Sequence, residues 1–477
     1  MPLERIVIVG NDDIAWLAAD LLARAVRPPF IAVRLIRPTE PVSRWATLSR
    51  GATISPDAAE IWDAAGADEL DLLRRTRGNF SVGTVLQGWG AQGAGFLPFG
   101  SIGDPAAQIA IQHVLARHAR DRAALPLTAF MGGALSARAQ RFAPPPAADA
   151  SAQAAFNYGL YVDGALQAAA SAASAVARGA QIVDAGIAFV SRNDAGLIES
   201  VTLDDGTMVT GDLFIDCGNW LDEEPAVIDW SAWLPCNRLA CVARELPAAP
   251  LVSATLGAHA SGWQRQSSLR GAVIDSFAYC DEVPGDRPAE AVAYRPGRAA
   301  SPWRANCVSI GDGAVILDPI SDMRQNLAVS AIARLAASLP ADPASTVEAR
   351  EYNRRTAAEL DDARDFAIAH YRLNGRVGDP FWDQCRTMVP PDTLQARIDL
   401  YRDCGRVASV DDEAHGTSAW IALFDAMGWQ PLQYDSLADL LAADEVDRQL
   451  RDIRDRLVAQ VVAMPLYTET ARIIGQG

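Results

Sequence analysis

The sequence predicts an α/β fold with an inserted sheet and a helical C-terminal region. Residues 5–37 contain a short apolar strand, a helix with regularly spaced apolar residues and a second strand, the order that opens a dinucleotide-binding βαβ unit. Segments at about 80–140 and 235–300, the first of them rich in glycine and aromatic residues near its start, predict an inserted sheet. Beyond Met323 the apolar spacing is almost entirely helical.

These elements divide the chain into two predicted regions. We expect an α/β body over residues 1–340 and a helical region over 341–477. Within the body, the Pro- and Ala-rich stretch APPPAADASA, which starts at Ala143, predicts a surface loop or linker.

Composition limits the classes of partner. The chain has 477 residues and 50% apolar residues, enough to bury a large core. Its net charge of −17 leaves no basic footprint for nucleic acid or an anionic membrane surface. The N-terminus resembles a strand rather than a signal peptide, and no strongly apolar run approaches 20 residues. We therefore expect a cytoplasmic protein with no nucleic-acid or membrane partner.

The sequence contains no lysine, so all 42 basic residues are arginines. An arginine does not readily give up its proton, and enzymes that need a side-chain amine are therefore excluded. The seven cysteines form no CxxC pair, and the five histidines are scattered. The spacing predicts buried thiols and no metal site.

The turn after the first strand is an altered dinucleotide loop. Such a loop places glycine at three positions, and here Gly10 fits the first, while Asp12 and Ala15 occupy the second and third. Asp12 adds bulk and a negative charge where a diphosphate would lie, and two like charges about 4 Å apart cost roughly 1–4 kcal/mol. Without any ligand, Asp12 and Asp13 suit the N-cap of the next helix. Arg37 stands where an acidic ribose-binding residue is expected; the alternative is that it binds a 2′-phosphate.

Several stretches resemble the flavin-dependent tryptophan halogenase family, in family order from residue 5 to about 390. They are GFLPFG (95–100), GDLFIDCGNW (211–220), WLPCNRLA (233–240), WRANCVSIGDGAVILDPIS (303–321) and the DARDF, HY and DPFW motifs within 351–386. The resemblance implies a flavin-monooxygenase-like, Rossmann-type FAD-binding body. It also implies a reaction in which reduced FAD, supplied by a flavin reductase, oxygen and a halide give hypohalous acid, which reaches an aromatic substrate through a tunnel.

Carried over by this resemblance, the candidate cofactor contacts are Gly10, Asp12, Asp13, Ile14, Ala15, Arg37, Ala52, Ile187, Gly311 and Asp312. The pair Gly311-Asp312 keeps the second flavin contact. The family's GEAT-like strap appears as the four residues from Arg50 to Thr53, without its glutamate.

The catalytic positions that the resemblance implies are altered. The lysine position is Ser81, and a serine cannot form a haloamine. The glutamate position is Ser321, which follows Asp318 and Pro319. Asp318 is chemically the nearest relative of a family residue at this place, and it completes the three candidate catalytic positions.

The halide loop and the tunnel are altered as well. The halide-loop positions are Asp322, Met323 and Arg324; Asp322 would repel a halide, and Arg324 would partly offset this. The family's WxWxIP stretch keeps only Trp263. The tunnel or substrate positions are Trp263, Arg265 and Phe99.

Replaced chemical residues beside retained packing motifs predict a family member that does not halogenate, with FAD binding weakened or lost. The first reading is a non-catalytic protein that binds an aromatic small molecule, a peptide or a partner protein, as a homodimer or beside a paralogue. The alternative is an FAD-dependent monooxygenase or oxidase acting on an indole-like or other aromatic substrate. A third reading is a halogenase that works by an unusual route.

Overall fold

A computed structural model describes residues 3–26, 30–40, 50–90, 94–103, 107–145, 156–221, 226–245, 250–285, 287–288, 290–340 and 346–475. The chain forms two compact units. The first unit comprises Met1–Gly78, Val162–Ala232 and Ala291–Arg364, and the second comprises Asn79–Tyr161, Trp233–Glu290 and Asp365–Gly477.

The strands of the described residues are β1 Arg5–Val9, β2 Ala32–Arg37, β3 Gly51–Ile54, β4 Asn79–Ser81, β5 Gly83–Gln87, β6 Gly95–Pro98, β7 Gly159–Asp163, β8 Gln181–Asp184, β9 Ile187–Arg192, β10 Ile198–Leu203, β11 Met208–Val209, β12 Leu213–Asp216, β13 Val227–Asp229, β14 Arg238–Glu245, β15 Ala254–His259, β16 Gly262–Leu269, β17 Ala272–Tyr279, β18 Val292–Ala293, β19 Gly297–Ala299, β20 Trp303–Arg304, β21 Cys307–Ser309 and β22 Val315–Ile316.

The α-helices are α1 Asp13–Val26, α2 Pro56–Ala64, α3 Glu69–Arg75, α4 Ile111–Asp121, α5 Gly132–Ala139, α6 Gly164–Ala177, α7 Arg324–Ala337, α8 Val347–Arg372, α9 Pro380–Thr387, α10 Asp392–Cys404, α11 Thr417–Ala426, α12 Ala443–Ala463 and α13 Tyr467–Gly475. Short 3-10 turns include Gly311–Gly313 and Pro319–Ser321.

The first unit contains a six-stranded sheet in the order β20-β21-β12-β1-β2-β8. Strand β1 lies parallel to β12 and β2, with Ile8 opposite Ile215 and Leu35. The apolar residues of β1 are buried, as expected for a parallel strand with covered faces. The βαβ unit predicted at 5–37 is confirmed, and its first strand ends directly before Gly10.

The second unit contains the predicted inserted sheet. Strands β14, β17, β16, β15, β5 and β6 neighbour one another in that order. Most neighbours are antiparallel, but β15 and β5 are parallel, with Leu256 opposite Leu86. Helices α4 and α5 also fall within the stretch at about 80–140; the amphipathic spacing over residues 108–124 predicts α4, which is confirmed.

The chain beyond Met323 is helical, as predicted, with seven helices from α7 to α13 among the described residues. No helix in the described ranges is long and apolar enough to cross a bilayer. The domain boundary predicted between residues 340 and 341 stays a prediction, since 341–345 lie outside the described residues. Most of the loop predicted from Ala143 also lies outside them.

Candidate functional site

Gly10 is closely packed in the turn that leads into the N-terminus of α1. A Cβ atom at this position would lie 2.8 Å from Cβ of Ala15 and 2.9 Å from Cβ of Cys217. Because real Cβ atoms do not approach so closely, only glycine fits here. Asp12 then caps the helix, since its Oδ1 accepts a hydrogen bond from the backbone N–H of Ala15 at 2.9 Å. The capping expected of Asp12 is confirmed.

A buried arginine lies at the same helix end. The Arg324 guanidinium donates from Nη2 to Asp12 Oδ2 at 2.9 Å and from Nη1 to Asp13 Oδ1 at 2.7 Å. Its Nε donates to Asp312 Oδ1 at 2.8 Å. The four side chains are between 8% and 16% exposed. We call Arg324, Asp12, Asp13 and Asp312 the Arg324 cluster.

The Arg324 cluster carries one positive group and three carboxyl groups in a site shielded from water. Burial raises the pKa of Asp12 to about 7; the Arg324 guanidinium opposes this rise, and the carboxylates of Asp13 and Asp312 add to it. Asp12 therefore titrates near neutral pH. The cluster keeps excess negative charge when Asp12 ionises.

Gly311 brings the turn that carries Asp312 against α1. Its φ is +62°, and an added Cβ would lie 2.7 Å from Cγ2 of the buried Ile14. Both the left-handed backbone and the close approach require glycine. The contact places the Asp312 carboxylate within reach of Arg324.

The guanidinium of Arg37 pairs with a carboxylate on the neighbouring strand, and Arg37 is not part of the Arg324 cluster. Strands β2 and β8 place Arg37 opposite Asp184, and its guanidinium forms two hydrogen bonds to that carboxylate, at 2.7 and 2.9 Å. The same guanidinium lies 5.7 Å from the ring centroid of Trp16. Arg37 therefore already has an anionic partner at the end of its strand.

The strap strand β3 is tied to the halide-loop position. Asp322 adopts a left-handed conformation, with a φ of +56°, and its Oδ2 accepts from the backbone N–H and the hydroxyl of Thr53, at 3.1 and 2.6 Å. Ala52 is buried in the same strand. The sulfur of Met323 accepts a weak hydrogen bond from the side-chain amide of Asn326. The carboxylate of Asp322 thus fastens β3.

Asp318 is fully buried and holds a turn. Its Oδ2 accepts from the Tyr294 hydroxyl at 3.1 Å, and its Oδ1 accepts from the backbone N–H of Ile320 at 3.0 Å. These bonds cap the turn Pro319–Ser321. The buried hydroxyl of Ser321 has no hydrogen-bond partner among the described residues. Asp318 therefore stabilises the turn in which Ser321 lies, and the catalytic roles expected of both residues stay predictions.

The remaining candidate positions of the second unit lie on or beside its sheet. Ser81 is 8% exposed in β4, and its hydroxyl lies 3.5 Å from the carbonyl oxygen of Gly83. Trp263 is fully buried, and its indole N–H donates to the Tyr371 hydroxyl at 3.0 Å. Arg265 is buried two residues along β16, so it lies on the same face as Trp263. Phe99 follows β6 and is half-buried.

The structure therefore brings together part of the predicted cofactor set. Gly10, Asp12, Asp13, Ile14, Ala15, Gly311 and Asp312 meet around the start of α1, together with Arg324. Arg37, Ala52 and Ile187 lie elsewhere in the first unit, and Ile187 packs in the apolar cluster beside β9 and β10. The contact of Arg324 with Asp12 spans 312 residues and leaves no local signal in the sequence, so it could not be predicted. In the described ranges, no group of His, Cys, Asp and Glu side chains is placed to hold a metal ion.

A largely parallel sheet of Rossmann type, with a close-packed glycine turn before α1, defines an α/β protein of the dinucleotide-binding fold class. The chain belongs to the tryptophan halogenase family, whose model matches residues 5–443. It is 26% identical to the tryptophan 6-halogenase ThaL of Streptomyces albogriseolus over 84% of this chain and 82% of that protein.

Solved structures agree with this assignment. BrvH, a flavin-dependent halogenase from Brevundimonas sp. BAL3, superposes with a TM-score of 0.92 and 28% identity over 99% of both chains. Xcc4156, a flavin-dependent halogenase from Xanthomonas campestris, gives 0.91 and 26%, again over 99% of both chains. The predicted fold class and family resemblance are confirmed.

Proposed function

We propose that this member of the tryptophan halogenase family does not catalyse halogenation and acts instead by binding an aromatic small molecule, a peptide or a partner protein. The observation that carries the proposal is the Arg324 cluster. Its buried guanidinium is held by three carboxyl groups at the helix end where a dinucleotide-binding fold receives a diphosphate.

The residues present do not fit the diphosphate of FAD. Such a group needs free N–H donors and positive charge at the helix N-terminus, but the N–H of Ala15 already donates to Asp12. Arg324 could serve a phosphate only by leaving its three partners. That exchange would leave buried carboxylates unpaired beside a new anion, at a cost of several kcal/mol.

The chemical positions support the same proposal. In the family, a lysine amine directs the halogenating species, and the sequence contains no lysine at any position. Ser81, at the position assigned to that lysine by resemblance, offers a neutral hydroxyl in a buried strand. A hydroxyl provides neither the nucleophilic amine nor the cation that this role requires.

A second candidate function is an FAD-dependent monooxygenase or oxidase that acts on an indole-like or other aromatic substrate, with a separate flavin reductase. It is favoured by the glycines retained at Gly10 and Gly311, and by the flavin-dependent halogenases that share the fold. Flavin binding separates the two candidates, because only the enzyme requires it.

A turnover assay tests the proposed function. The purified full-length chain and its Ser81→Lys variant are each incubated with FAD, a flavin reductase, NADH, oxygen and bromide or chloride, with tryptophan or indole as substrate. We expect no halogenated product from either protein by mass spectrometry, because restoring one amine leaves the Arg324 cluster in place. ThaL under the same conditions is the positive control.

Bromoindole or chlorotryptophan formed by the unmodified chain would overturn the proposal. Product from Ser81→Lys alone would show that the first unit still uses flavin, and would overturn the argument from the Arg324 cluster.

A further inference from the structure

The second unit contains a cavity of about 670 Å³ that none of the candidate site residues lines. Its walls come from α4, the start of β6, the end of α10 and the end of α11. Leu115 and Leu127 give it apolar surface, and Tyr401 and Tyr434 give it aromatic surface. This volume suits a small organic molecule.

One acidic side chain, Asp425, lines this cavity. It lies in the last turn of α11, at the negative end of the helix dipole, which does not stabilise a carboxylate. Burial raises the pKa of Asp425 to about 6, while a hydrogen bond from Gln430 opposes the rise. The carboxyl group thus lies in an environment that disfavours its charge.

Among the described residues Asp425 forms no ion pair, and the side chain of Gln430 is its hydrogen-bond partner. The arginine that lines the cavity, Arg120, lies over the ring of Tyr434, with 4.9 Å between its guanidinium carbon and the ring centroid. The aromatic ring of Tyr401 stacks on Phe424, 4.0 Å away. A cavity whose lining includes leucine and tyrosine side chains and a partly buried carboxylate without an ion pair among the described residues is complementary to a cation with an apolar body.

We propose that this cavity binds an organic ammonium ion with an aromatic or aliphatic body, whose ammonium group pairs with the Asp425 carboxylate. The apolar part of the ligand then packs on Leu115 and Leu127. Neither the residues of the Arg324 cluster nor Ser81 line this cavity, and binding here involves no covalent step.

The inference deepens the proposed binding function and rests on it, because it supplies the chemical class of ligand for a non-catalytic protein. The two proposals fail separately. Loss of amine binding would leave the turnover result unchanged, and a halogenated product would not alter the amine affinity.

Isothermal titration of the full-length chain with 2-phenylethylammonium chloride tests the site, at about pH 8, where Asp425 is ionised. We expect saturable binding, weakened at least tenfold by Asp425→Asn. The neutral isostere 2-phenylethanol and the anion 3-phenylpropionate should bind the unmodified chain at least tenfold more weakly. Asp121→Asn, which removes an exposed carboxylate on α4 outside the cavity lining, is the matched control and should bind normally.

Three outcomes would overturn the inference. They are no binding of the amine up to about 10 mM, equal affinity in Asp425→Asn, and equal affinity for the alcohol. Thermal unfolding of Asp425→Asn checks that the variant is folded. We expect its melting temperature to equal or exceed that of the unmodified chain, because the substitution removes a buried charge without an ionic partner. If the variant is unfolded, the comparison of the amine with its two isosteres on the unmodified chain decides the question.

Discussion

Asp12 performs two tasks with its two carboxylate oxygens. One oxygen caps α1 through the N–H of Ala15, and the other accepts from Arg324. The first task could be predicted from the sequence, because capping depends on residues three apart. The second could not, because Arg324 and Asp12 meet only through the tertiary fold. The chemical identities of Ser81 and Ser321 were readable from the sequence, but their buried surroundings were not.

The pH dependence of stability tests the environment of Asp12. Its pKa in the folded chain, about 7, lies above the ordinary value of 3.8. Stability from this group is therefore fully present below about pH 4 and is lost as pH rises through 7. Asp12→Asn has no proton to lose, so its free energy of unfolding should rise relative to that of the unmodified chain between about pH 5 and pH 8, by roughly 1–4 kcal/mol.

Urea denaturation at several pH values measures this difference. Asp205→Asn is the control, because Asp205 is exposed and the Thr207 N–H lowers its pKa, so its offset should be constant over that range. A constant offset for Asp12→Asn as well would mean that Asp12 is ionised throughout, against the account given for the Arg324 cluster.

At the scale of elements, the β1-turn-α1 segment was predictable because its signals are local. Apolar runs predict β1 and β2, and helical spacing predicts α1. The predicted ends of these elements lie within a residue or two of the observed ends. The helical character of residues 56–75 in the sequence is confirmed, and the stretch forms two helices, α2 and α3, separated at Gly66, whose φ of +77° ends the first helix. The contact between Gly311 and α1 had no local signal.

Replacing Gly311 by alanine tests that contact. Gly206 has a similar φ, +83°, with nothing within 4 Å of an added Cβ, whereas at Gly311 the Cβ would lie 2.7 Å from Ile14. We expect Gly206→Ala to lower the free energy of unfolding by about 1 kcal/mol through backbone strain alone. Gly311→Ala should lower it by about 2–4 kcal/mol, because overpacking is added. Urea denaturation compares the two variants, and equal losses would show that the turn relaxes away from α1.

For the whole molecule, the sequence predicts the fold, the family and a weakened or lost FAD site, but not the long-range contacts at that site. Motifs such as GDLFIDCGNW and the Gly311-Asp312 turn are carried by contiguous residues, so the sequence reveals them. The pairing of Arg324 with three carboxyl groups, and the cavity around Asp425, are assembled from distant segments. The chain shares its fold with flavin-dependent halogenases, and we propose that it differs from them in function through single side chains.

Titration of the purified full-length chain with FAD, oxidised and then reduced, tests the central claim most directly. Flavin fluorescence reports binding of the oxidised form, and equilibrium dialysis under anaerobic conditions reports binding of the reduced form. We expect a colourless protein and no saturable binding of either form up to about 100 μM, because Arg324 and its carboxylates fill the start of α1. One flavin bound per chain with micromolar affinity would contradict the claim and favour the oxygenase.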